Sequence, residues 1–154
     1  MIHPNTAHPE ADVHAAEFDY TELLGWPVTL TGSHLVATPG PTLLAVQLPA
    51  ELGEAAQHVL RLRMQDGPVL EPPGHPEIWV FLTAPYPGAP ERVPRRLDRP
   101  DVQLLTDQPV LLPPSRTPRG YPRWVTPPSL SRPWLPPVTA LATALTLTNR
   151  EPQP

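Results

Sequence analysis

Thr42-Leu43-Leu44-Ala45-Val46-Gln47-Leu48-Pro49-Ala50-Glu51-Leu52-Gly53-Glu54 is the stretch on which the fold turns. Its near-continuous apolarity up to Leu48 is that of a strand buried on both faces, and we read residues 42–48 as the central strand of a sheet. Pro49 lacks an N–H, which suits the first turn of a helix, where that donor has no partner in any case. Leu52, Ala55, Ala56, Val59 and Leu60 then fall on one face at helical spacing, predicting a helix from Ala50 to about Arg63. Glu51 and Glu54 near its start and Arg61 and Arg63 near its end complement the helix dipole, by ~0.3–1 kcal/mol each.

Toward the N-terminus, Pro39-Gly40-Pro41 breaks the chain, and His34 to Thr38 and Trp26 to Thr31 form a hairpin about the Gly32-Ser33 turn. Before it, Val13, Ala16, Tyr20, Leu23 and Leu24 recur at helical spacing from Glu10 to Leu24, and Gly25 is placed to stop that helix. Toward the C-terminus, Gly67–Leu70 and Glu77–Leu82 are strands separated by the turn Pro72-Pro73-Gly74-His75-Pro76. Residues 84–100, with five prolines and four arginines, predict a connection without regular structure. Short strands follow at Val102–Thr106, Val110–Leu112 and Arg123–Val125, with a loop from Pro113 to Tyr121. A helix from Val138 to Asn149 closes the chain. The order predicts an α+β fold, one sheet with its helices on one side, over residues 10–149 between flexible tails at 1–9 and 150–154.

Composition narrows the function classes. With 27 Pro and 8 Gly in 154 residues, long helices and a collagen period are excluded. There is no Cys, so disulfides, thiolate nucleophiles and cysteine zinc sites are impossible. Met1 to Ala11 lack the basic start and apolar core of a secretory signal, and no apolar run reaches membrane-spanning length; a cytoplasmic protein without membrane association is the expectation. Charge is polarised: residues 1–91 hold 2 Arg against 11 Asp/Glu, net −9, and residues 92–154 hold 9 Arg against 4, net +5. The basic half is where an anionic partner would dock.

Motifs for phosphate-cradling loops, dinucleotide folds, zincins and hydrolase elbows do not occur. His3, His8 and His14 lie in or near the N-terminal tail and read as solvated side chains, so no metal is predicted there. The pairs Asp19/Glu22 and Glu51/Glu54 read as solvated helix faces. In Ser115-Arg116-Thr117-Pro118-Arg119-Gly120-Tyr121-Pro122-Arg123-Trp124, three Arg interleave with two aromatics. That composition can hold phosphates while a ring offers its face to a base, or it can solubilise a loop over packed rings.

Several segments taken in order resemble the bifunctional DNA primase/polymerase N-terminal domain of the archaeo-eukaryotic primase superfamily. They are Gly25-Trp26-Pro27-Val28, Gln47-Leu48-Pro49, the run from Pro72-Pro73-Gly74-His75-Pro76-Glu77 to Phe81, and Leu112-Pro113-Pro114-Ser115 with Gly120-Tyr121-Pro122-Arg123-Trp124-Val125-Thr126-Pro127-Pro128. The resemblance implies a compact sheet which, in active members, aligns acidic side chains around two Mg or Mn ions for nucleotidyl transfer. This chain departs from that pattern. Gln47 stands where an acid is implied on the central strand, and an amide does not replace its charge. Glu77 occupies the implied basic or His position, with His75 displaced by two, and only Asp101 corresponds to the third acid.

The resemblance therefore implies a degenerate member that needs no cofactor and acts by binding single-stranded nucleic acid or a protein partner. The contacts expected are Arg116, Arg119, Tyr121, Arg123 and Trp124, together with Arg95, Arg96 and Arg99. Two alternatives stand beside it: an active two-cation primase/polymerase using Asp98, Asp101 and Asp107, and a protein-interaction module with no nucleic-acid role.

Overall fold

The computed structural model describes residues 9–89 and 91–148; residues 1–8 and 149–154, with His3, His8 and the last residue of the expected closing helix, lie outside the described residues. Helix α1 (Pro9–Phe18) runs into a π-helical turn (Asp19–Leu23). The hairpin β1 (Val28–Thr31) and β2 (His34–Ala37) precedes β3 (Leu44–Pro49) and α2 (Ala50–Leu62). Then come β4 (Val69–Glu71), β5 (Ile78–Thr83), a 3-10 turn (Arg95–Leu97), β6 (Gln103–Leu105), β7 (Val110–Leu112), β8 (Arg123–Thr126) and α3 (Val138–Thr148). The fold is α+β, and every strand and helix read from the sequence has its counterpart. The connection 84–100 holds the 3-10 turn, and the first helix changes to π geometry over its last turn.

The arrangement differs from the single sheet with helices on one side. There are two antiparallel sheets, β1-β2-β7 and β6-β3-β5-β4-β8, and α1 lies against the β1–β2 hairpin while α2 and α3 pack together on the far side of the larger sheet. The chain changes sheets three times, at the Pro39-Gly40-Pro41 corner between β2 and β3, at residues 106–109 between β6 and β7, and through the loop 113–122 between β7 and β8. Each break releases the next strand from its predecessor's ladder.

Side-chain alternation along β3 explains why its sequence is apolar throughout. Leu43 and Ala45 face the core between the sheets, beside Leu35, Ala37, Leu82 and Leu112. Leu44, Val46 and Leu48 face the helices, beside Ala56, Leu60, Leu141 and Leu145. β3 is an interior strand, and β5 holds the middle of the sheet. Burial of such aliphatic side chains stabilises by ~1.5–3 kcal/mol each relative to exposure.

Antiparallel pairing brings five strand ends together. Gln47 is opposite Gln103, Pro49 opposite Ile78, and Glu71 opposite Arg123. The end of β3, the starts of β5, β6 and β8 and the end of β4 thus share one edge of the larger sheet. The loops 72–77, 98–102 and 113–122 all emerge there.

Candidate functional site

Two depressions lie along that edge. The first, about 310 Å³, is lined by Gln47, Glu77 and Asp101 with Gln103 and Pro49, so the three positions singled out in the sequence converge. Each polar group there already has a partner. The Gln47 amide donates to Gln103 Oε1 at 3.4 Å. The His75 ring donates through Nδ1 to Glu77 Oε2 at 3.1 Å. Asp101 takes a bidentate clasp from Arg99, Nε and Nη2 each at 2.9 Å. Glu77 is held below the usual carboxylate range, first by its own backbone N–H and then by His75.

This donor set does not fit two divalent cations. Gln47 offers only an amide, which adds no charge, and Asp101 would have to surrender Arg99 to reach a metal. Among the described residues no group of three or more His, Cys, Asp or Glu is placed to hold a metal ion. Asp98 and Asp107 do not complete the set: Asp98 lines a separate depression with Arg95 and Arg99, and Asp107 follows β6 while Asp101 precedes it. An extended strand sends residues before and after it to opposite ends.

The second depression, about 420 Å³, is lined by Arg116, Tyr121, Arg123 and Trp124 with Pro113, Pro114 and Pro122. Its loop is anchored at several points. The Tyr20 hydroxyl donates to the Pro113 carbonyl at 2.7 Å. Ser115, fully buried, accepts from the Leu35 N–H at 2.7 Å, and His34 Nε2 donates to the Arg116 carbonyl at 2.7 Å. Thr117 and Gly120 close a tight turn through N–H···O bonds of 2.7 and 3.0 Å. These bonds satisfy backbone groups that a loop otherwise leaves to water, and so hold it in one shape.

The aromatic and basic residues of this segment take different places. Tyr121 is 64% exposed and presents its ring to solvent. Trp124 is half-buried, its indole donating to Tyr20 Oη at 3.3 Å and meeting Trp26 edge-on, so one part of it lines the depression and the rest packs into the core. Arg123 is paired with Glu71 across β4 and β8 at 2.9 Å. Arg116 and Arg119 are exposed and form no ion pair among the described residues. Arg119 stands outside the depression, on the Thr117–Gly120 turn, with its Cβ and carbonyl against Gly74. The φ of +76° at Gly74 favours glycine there, and the ordinary packing contact with Arg119 joins the Arg loop to the His75–Glu77 turn. Arg95 and Arg96 lie apart on the 3-10 turn.

Tyr20, His34 and Ser115 carry the site's geometry, and sequence reading assigned them no role in it. Their partners lie 93, 82 and 80 residues away, and spacing cannot reveal such pairs. Among the described residues no helix is long and apolar enough to cross a membrane. No protein-family model matches the chain, and no curated protein and no solved structure matches it.

Proposed function

We propose that this chain is a primase/polymerase-like scaffold without a two-cation centre, and that it works by binding single-stranded nucleic acid at the Arg116–Trp124 segment. The observation that carries the reading is the exposed Tyr121 ring in one depression with Arg116 and Arg123, on a loop held rigid by Tyr20, Ser115 and His34. An aromatic face takes a base of any identity, and a guanidinium beside it takes the phosphate. A rigid loop loses little conformational freedom on binding. Duplex readout has no support, because among the described residues no helix presents a row of base-reading side chains at this edge.

The test is fluorescence anisotropy of a labelled single-stranded oligonucleotide at stepped salt. Affinity falls with salt, and Arg116→Ala and Arg119→Ala each flatten the log–log slope by about 0.7. Tyr121→Ala weakens binding by ~1–3 kcal/mol without changing that slope. Chelation of divalent cations leaves all of this unchanged. Absence of salt-sensitive retention overturns the reading.

One feature favours a protein partner instead. Met64, 80% exposed, and Trp134, 68% exposed, stand with six prolines around a groove of about 240 Å³ between residues 64–68 and 126–137. Exposed large apolar side chains gathered in one place are characteristic of protein interfaces. On that reading, oligonucleotides are not retained, and Trp134→Ala abolishes capture of a partner while Arg116→Ala does not.

A further inference from the structure

We infer that the bound strand continues past Arg116 into a second subsite between α1 and the β1–β2 turn, which takes the base of a neighbouring nucleotide. This rests on the nucleic-acid reading above and extends it. Pro114 and Arg116 line both the Tyr121 depression and a larger one of about 560 Å³, so the two share a wall. The larger space has an apolar side from Val13 and Leu30 and a polar rim from Asp12, His14 and Ser33. Its chemistry is that of a base site rather than a phosphate site. Arg116, at the shared wall, is the one guanidinium among its lining residues, and His14 is already within 3.7 Å of Glu17. The Asp12 carboxylate repels phosphate but accepts from the exocyclic amino group of a base. Arg116 therefore meets the phosphate that links two nucleotides. Its backbone is held for that role by the His34 bond to its carbonyl.

The experiment compares deoxycytidylate probes of one and of two residues, of which only the longer can reach both depressions, cytosine being chosen because it offers an amino group to Asp12. The wild-type chain binds the longer probe about tenfold more tightly or better, the gain of one additional base held against Val13 and Leu30. Ser33→Glu places a second carboxylate at the rim, on an exposed turn position where folding is untouched. It removes that length-dependent gain and leaves the affinity for the shorter probe within about twofold. If Ser33→Glu leaves the gain intact, or weakens both probes equally, the second subsite is overturned while the Tyr121 site stands. If the wild-type chain binds neither probe, the nucleic-acid reading itself falls, and the subsite with it.

Discussion

The Tyr20 hydroxyl sits between two partners, donating to the Pro113 carbonyl at 2.7 Å and accepting from the Trp124 indole at 3.3 Å. Its ring stacks on Trp26 at 5.5 Å with planes 6° apart. Sequence spacing places Tyr20 on the apolar face of a helix; that its oxygen reaches the loop beneath the candidate site is a long-range fact. Tyr20→Phe leaves the ring in place and strips one half-buried carbonyl of its donor, at a cost of ~1 kcal/mol in denaturant unfolding. Burial pushes the phenol up to about 12, the Trp124 hydrogen bond opposing and the Asp19 charge adding to the rise. Because the folded value lies above the unfolded one, near 10, the stability this group contributes is complete below about pH 10 and is lost as pH rises toward 12. Absorbance titration of the phenolate shows a step near pH 12 in the wild-type chain that Tyr20→Phe lacks.

At the scale of elements, α2 shows how local signals and packing combine. Pro49 at its N-cap in extended geometry, Glu51 in the first turn and Arg61 in the last were all legible in the sequence. The tight seat of the helix on the sheet was not. A Cβ on Gly53 would come within 2.8 Å of Trp79 Cε3 and 3.2 Å of Phe81 Cε1. On an open helix Gly53→Ala would stabilise by ~1 kcal/mol. Here the clash reverses the sign, and we expect a net loss of ~1–3 kcal/mol by urea unfolding, with the tryptophan emission shifted as the Trp79 ring yields. The loop 113–122 shows the converse. Its proline and glycine content announces irregular backbone, but the buried Ser115 that pins it to Leu35 has the sequence context of any loop serine.

Across the whole molecule, the larger sheet serves two cores at once. Leu70, Val80 and Leu82 face the smaller sheet, while Val69 and Phe81 face α2 and α3. Neither core keeps its packing if that sheet is lost. Far-UV circular dichroism, which follows the helices, and the tryptophan emission of a Trp79→Phe, Trp134→Phe chain, which leaves Trp26 and Trp124 between the sheets, should therefore report one urea midpoint. Two separated midpoints would show the cores to be independent.

Strand and helix content, their order, the corner at Pro39–Pro41 and the residue types at Gln47, Glu77 and Asp101 were determined by the sequence alone. Periodicity, proline geometry and residue charge act over a few neighbouring positions. The division into two sheets, the convergence of five strand ends on one edge, the capture of Arg123 by Glu71, and the anchoring of the Arg loop were decided by tertiary structure. Which strand pairs with which depends on how apolar faces from distant segments fill a common interior. Hydrogen bonds such as Tyr20 to Pro113 exist only once that interior has formed.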